Sequence, residues 1–167
     1  MESSRELRLS PMRGAMNIGA VTAGIMLLFS AFSLPILGWF VFLGGIYFGM
    51  RTYRKVLGGA IVYSEALNIG FQTAFFSSTI LAFFVYVTAT IEPSVIVALV
   101  DAAEVQLKTS GVPSGLVEAM VQQWHETLTP IILAIIAILM YTAVGGFAGI
   151  LLAFFVRNAK PDEIVEY

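Results

Sequence analysis

Few residues in this chain are equipped for chemistry, and their spacing decides what kind. His125 is the sole histidine, standing in Trp124-His125-Glu126, and there is no cysteine. A transition-metal site needs three or four converging imidazole, thiolate or carboxylate ligands, which this inventory does not supply. No nucleophile is tied to His125 by spacing, so a general base is equally unsupported. Glu92, Asp101, Glu104, Glu118 and Glu126 are strewn along one polar stretch and read as solvated faces rather than as a calcium cage. The chain holds no P-loop, no glycine-rich dinucleotide turn, no zincin motif and no G-x-S-x-G. The reading is a non-enzymatic protein with no catalytic residue, no metal and no cofactor.

What remains is polar chemistry on an apolar background. Glu65, Asn68, Gln72, Thr79, Tyr86 and Thr90 follow one another in steps of three, four and seven, which places them on one helical face. Inside a membrane such groups avoid lipid, so the stripe is expected to face the bundle interior or a partner. Its functional reading is a polar path or groove; its ordinary reading is interhelical hydrogen bonding. Two close-packing motifs accompany it, Gly45-x-x-x-Gly49 and Gly145-x-x-x-Gly149, with Ala15, Gly19 and Ala23 repeating at the same spacing. They allow backbones to approach closely, within one chain or between two copies.

The elements that position these residues follow from composition. Hydrophobic residues make up 58% of the chain and charged residues 12%, which argues against a water-soluble domain and for a membrane-embedded one. At roughly 20 apolar residues per span, 167 residues hold four spans and one external segment. The spans are expected near 14–32, 35–53, 65–91 and 130–156. A cleaved signal peptide is the competing reading for the first, but its apolar run exceeds the usual 7–15 residues and a second run follows at once. Ser33-Leu34-Pro35 breaks spans one and two, Gly58-Gly59 ends the turn after span two, Ser64 is the expected cap of span three, and Thr129-Pro130 opens span four.

Residues 92–129 form the only long polar insertion. Val95, Ile96, Leu99, Val100, Ala103 and Leu107 recur at helical spacing, as do Leu116, Met120, Trp124 and Leu128, on either side of Gly111-Val112-Pro113-Ser114. The expectation is an amphipathic helical hairpin against the membrane face, with Ser114 as a cap and Trp124 near the interface. A solvated loop is the bland alternative. Arg5, Arg8, Arg13, Arg51, Arg54, Lys55, Arg157 and Lys160 fall on one side of the four-span arrangement and Lys108 alone on the other. Arg51, Arg54, Lys55 and Arg157 therefore set the topology, with both termini cytoplasmic and 92–129 outside. The net charge of −2 offers nothing to nucleic acid.

This order of features, a basic turn after span two, Gly58-Gly59, Ile61-Val62-Tyr63-Ser64-Glu65-Ala66-Leu67, a third span ending in Ile91-Glu92-Pro93, an external hairpin and a proline-opened final span, resembles the DUF4199 family of small membrane proteins. The resemblance runs from about Gly14 to Lys160 and covers one domain, 1–167. It implies a fold and an address, the bacterial inner membrane, mainly in Bacteroidetes, without a mechanism. Proximity of family genes to those of membrane-associated family 2 glycosyltransferases hints at a partner. The expected architecture is an all-α, four-helix transmembrane bundle with an extracytoplasmic hairpin between spans three and four. The expected function is a scaffold or accessory subunit of a membrane complex; the alternative is a small transporter or channel acting as an oligomer. The partners are the lipid bilayer and either a second copy or another membrane protein.

Overall fold

Apolar runs punctuated by proline and glycine fold into six α-helices in a computed structural model that describes residues 11–31 and 35–157. They are α1 (Pro11–Ala31), α2 (Pro35–Val56), α3 (Tyr63–Ile91), α4 (Ser94–Thr109), α5 (Ser114–Thr127) and α6 (Pro130–Val156). Arg5, Arg8, Ser33, Leu34 and Lys160 lie outside the described residues. Among the described residues the protein is all-α. Three helices are long and apolar enough to cross a membrane: α1 over Met12–Ser30, α3 and α6. The expected fourth span, α2, is 22 residues long but carries Arg51, Arg54 and Lys55 near its end, and it does not join them.

The chain divides into two compact units, one comprising residues up to Leu81 together with those from Ile138 onward, the other Ala82–Ala137. In the first unit the core gathers Ala23, Met26, Phe42, Ile46, Met50, Ile61, Ala66, Ala74, Leu81, Ala153 and Val156. Its outer surface is apolar: Phe40, Phe48, Phe147 and Phe155 are all exposed. A water-soluble protein rarely tolerates so large an apolar exterior, whereas hydrocarbon solvates it. Trp39 stacks on Tyr141 with ring centroids 5.3 Å apart, and both rings flank Phe42.

In the second unit α4 and α5 form the expected hairpin. Gly111, at φ +81°, supplies the left-handed residue that closes α4. The Val112 N–H reaches the Leu107 carbonyl (3.3 Å) and the Gly111 N–H the Lys108 carbonyl (3.2 Å), the paired bonds of a Schellman stop. Val100 and Val117 are fully buried. Here the apolar spacing misplaces one face: Leu99 and Leu116 are exposed, and Val117 takes the inward position expected of Leu116. Ser114 is the first helical residue rather than the cap, because Pro113 occupies that position without any side-chain bond. Thr129 does cap α6, its Oγ1 accepting from the Ile132 N–H at 3.4 Å. Lys108 donates to Glu104 at 2.6 Å on the exposed face of α4, and that hydrogen bond, with the carboxylate charge, holds the lysine above its ordinary value.

Candidate functional site: the outward face of α3 and the basic turn

The basic turn is built by two glycines. α2 ends in its own Schellman stop, with the Gly58 N–H on the Lys55 carbonyl (3.2 Å) and the Gly59 N–H on the Arg54 carbonyl (2.9 Å), and both glycines sit at positive φ. That reversal carries the backbone past the Arg54 side chain. Arg54 Nε donates to the Gly59 carbonyl at 2.9 Å, and Nη1 donates to the Val156 carbonyl at 3.2 Å. Val156 is the last residue of α6, where carbonyls lack helical partners and the helix dipole favours a cation. Arg54 thus ties the α2–α3 turn to the end of α6. Arg51 and Lys55 are exposed, and Arg157 lays its guanidinium 4.3 Å above the Phe154 ring.

Glu65 does not pair with Arg54 or Arg51, the partners its position invites. Its Oε2 accepts from the Val62 N–H at 3.2 Å. α3 begins at Tyr63, so Glu65 is the third helical residue and folds back onto the residue before the helix, as the acidic half of a capping box does. Ser64, expected as the cap, lies inside the first turn. The arginine is already committed to two carbonyls, and the carboxylate to the N–H of the residue that precedes its helix.

The glycine motifs pack unequally. A Cβ at Gly45 would fall on the Thr22 hydroxyl of α1, and one at Gly49 would come 2.8 Å from Thr73 Oγ1 of α3. At Gly145 it would lie 2.5 Å from Ala74 Cβ and 2.9 Å from Phe42 Cζ. At Gly149 it would find Met50 Cε at 3.8 Å, an ordinary contact. The two motifs therefore meet α1, α2 and α3 of the same chain, and they lie against these neighbours rather than forming a glycine-on-glycine seam between α2 and α6.

On α3 the polar stripe faces out. At 100° per residue Glu65, Asn68, Gln72, Thr79 and Tyr86 share an arc of about 60°. All but the half-buried Gln72 are exposed, as is Thr90. Of the two expected orientations, toward the bundle interior or toward a partner, the stripe does not take the first. The residues that do face inward are Thr73, Ser77 and Ser78, joined by Thr22 of α1. Each is bonded: Thr22 to the Ile18 carbonyl (2.7 Å), Thr73 to that of Ile69 (2.8 Å), and Ser77 to those of Gly19 (3.0 Å) and Thr73 (2.9 Å). Ser78 donates to the Phe75 carbonyl at 2.8 Å, which leaves Thr142 of α6 as donor in their 2.7 Å hydroxyl pair. Small residues at helical spacing, Ala66, Gly70, Ala74, Ser77 and Ser78, carried this signal in the sequence, where attention to glycine alone overlooks it.

At Gln72 the accounts do not close. Gln72 Nε2 donates to Asn68 Oδ1 at 3.3 Å, while Gln72 Oε1 is covered and has no partner. Beside them a groove of about 820 Å³ runs between α3 and α6, walled by Phe71, Phe75 and Phe147, with Ser64, Asn68 and Thr142 as its polar positions. Its groups can donate and accept hydrogen bonds and pack hydrocarbon. Among the described residues no three His, Asp or Glu side chains are placed to hold a metal ion, and His125 is exposed on α5.

The sequence model of one family, described as a protein of unknown function (DUF4199), matches residues 14–158. The chain belongs to the DUF4199 family. No curated protein and no solved structure matches it. The matched span of this DUF4199 chain takes in all four candidate packing glycines, the basic turn and the whole of α3.

Proposed function

We propose that this DUF4199 protein is a non-enzymatic scaffold or accessory subunit of a membrane complex. The observation that carries the reading is the distribution of polar groups. Among the described residues the buried polar side chains are Thr22, Thr73, Ser77 and Ser78, all hydrogen-bonded within the bundle. A transporter needs a polar path near the midplane, commonly lined by broken helices or paired charges. The buried set holds no charge, and the polar side chains left over on α3 point away from it. Outward polar groups on a membrane helix are contact chemistry for a neighbour.

In this proposal α2 is the fourth span, ending at the headgroups with Arg51, Arg54 and Lys55, and both termini are cytoplasmic in a bacterial inner membrane. Ser110→Cys on this cysteine-free chain is then labelled by an impermeant maleimide only from outside; labelling only from the cytoplasm inverts the arrangement. The scaffold reading predicts that affinity purification from native membranes co-elutes a stoichiometric membrane protein, and a family 2 glycosyltransferase is the partner to look for first. Substrate-dependent flux through liposomes holding this chain alone would replace the scaffold with a small transporter, its path formed between copies.

A further inference from the structure

We infer that the groove between α3 and α6 binds one anionic phospholipid, with acyl chain between the two helices and phosphate at Arg157. The inference goes beyond the scaffold reading and needs only that α3 and α6 cross the membrane. The groove of about 820 Å³ has Ile150 in its wall. The same residue lines a second hollow of about 360 Å³, which it shares with Tyr63, Phe154 and Arg157. Together they form one furrow down the outer surface, where Phe71, Phe147 and Phe154 are all exposed.

Depth sorts the lining by chemistry. At about 1.5 Å per residue, α3 is about 43 Å long and α6 about 40 Å. Centring both in the membrane puts Ser78 and Thr142 at one level, as their 2.7 Å hydroxyl pair requires. Phe71, Phe75 and Phe147 then lie within about 10 Å of the midplane, inside a hydrocarbon core about 30 Å thick. Asn68 lies about 14 Å from the midplane, at the edge of that core, and Ser64 about 20 Å. Arg157 stands about 21 Å away on the same side, at headgroup level in a bilayer about 40–45 Å thick. From the midplane outward the furrow offers aromatic carbon, then amide and hydroxyl donors, then a guanidinium. A phospholipid carries its acyl chain, ester carbonyls and phosphate in that order.

Charge decides between occupants. The Arg157 guanidinium rests over the Phe154 ring at the end of the furrow, and the basic turn abuts it, since Arg54 bonds the Val156 carbonyl. Among the described residues neither hollow has a carboxylate in its wall. Glu65 is turned about 100° from Ser64 around α3 and is folded onto the Val62 N–H. A guanidinium suits phosphate through parallel N–H bonds, and basic pockets between membrane helices take anionic headgroups. A second copy in the same orientation would bring its own Arg157 and basic turn to this depth. Other membrane helices carry excess Lys and Arg at the cytoplasmic level, where the proposed topology puts Arg157. Both would add like charge beside cations, whereas a phospholipid adds the missing anion.

The test is native mass spectrometry of the full chain, titrated in mild detergent with phosphatidylglycerol or with phosphatidylcholine of the same acyl chains. The wild type is expected to retain one phosphatidylglycerol in preference to phosphatidylcholine, and inorganic phosphate is expected not to displace it. Arg157→Gln is expected to lower the phosphatidylglycerol affinity about fivefold, the usual worth of one cation near an anionic headgroup, while Lys108→Gln on α4 changes nothing. Gly146→Leu fills the groove and is expected to weaken both lipids; a Cβ there meets only Phe71, at 3.6 Å, so the fold is kept, which circular dichroism checks. On the wild type, phosphatidylglycerol with a photoactivatable acyl chain is expected to label the peptides that hold Phe71, Phe75 and Phe147. Equal affinity for the two lipids, displacement by inorganic phosphate, unchanged binding by Arg157→Gln, or label spread over α1 and α2 overturns the site. A disulfide between copies through Phe147→Cys would put a second copy in the groove and overturn the lipid. None of these results touches the scaffold reading, which co-purification decides.

Discussion

Gly145→Ala and Gly149→Ala should separate sharply, although the sequence presents the two glycines as one motif. At Gly145 the new methyl would lie 2.5 Å from Ala74 Cβ, on the helix it crosses, and 2.9 Å from Phe42 Cζ. Carbon atoms rest at about 3.5–4.0 Å, so α3 and α6 must part by about 1 Å or the backbone must bend. Overpacking of this kind costs about 1–3 kcal/mol, set against about 1 kcal/mol of helix propensity gained by replacing glycine. The net expectation is a loss of up to about 2 kcal/mol. At Gly149 the nearest atom to the new methyl is Met50 Cε at 3.8 Å, ordinary contact with a flexible side chain, so that variant should match or exceed the parent. Reversible unfolding in mixed micelles, followed by tryptophan fluorescence, measures both. Measured against Ala74→Gly alone, Gly145→Ala should cost less than it does in the parent, because the nearer site of collision is emptied. Equal destabilisation of the two variants, or an undiminished cost in the Ala74→Gly background, would refute the packing argument.

Arg54→Gln removes the charge that joins the Gly59 and Val156 carbonyls; with hydrogen bonds to charged groups worth about 1.5–3 kcal/mol before allowance for partial hydration, a loss of about 1 kcal/mol is expected, while exposed Lys55→Gln shifts the melting temperature little. Glu65→Ala should lose about 0.5–1 kcal/mol of α3 initiation and Glu65→Gln less, since Gln keeps an acceptor for the Val62 N–H; complete loss of folded protein in the Gln variant, scored by size-exclusion chromatography, would contradict the capping role. A double-mutant cycle of Ser78→Ala and Thr142→Val should return a coupling of about 0.6 kcal/mol, the usual worth of an interhelical hydroxyl pair.

How far could the sequence be read? The apolar runs, their proline and glycine stops and the α4–α5 hairpin are local properties, and they reappear as helices and turns. A run that ends in cations is harder: whether α2 spans depends on how its last turn sits at the headgroups, which composition does not measure. The Leu116 repeat shows a second limit. Spacing finds that a helix has an apolar face, but the choice between Leu116 and Val117 depends on where the neighbouring element lies.

The candidate site shows the division most clearly. Sequence alone determined that Glu65, Asn68, Gln72, Thr79 and Tyr86 share one face of α3, because helical pitch is fixed by the backbone. It determined too that Gly45, Gly49, Gly145 and Gly149 permit close approach. Tertiary structure decided which way that face points and what each glycine touches. Thr73, Ser77 and Ser78 are small and close their hydroxyls on carbonyls of helices, so they fit the crowded interior where backbones nearly meet. Long amides do not fit there, and the helix turns them out. The same crowding sent Arg54 to the end of α6 and left Glu65 to cap its own helix, since a charged group takes the carbonyl or N–H that the fold leaves unpaired within its reach.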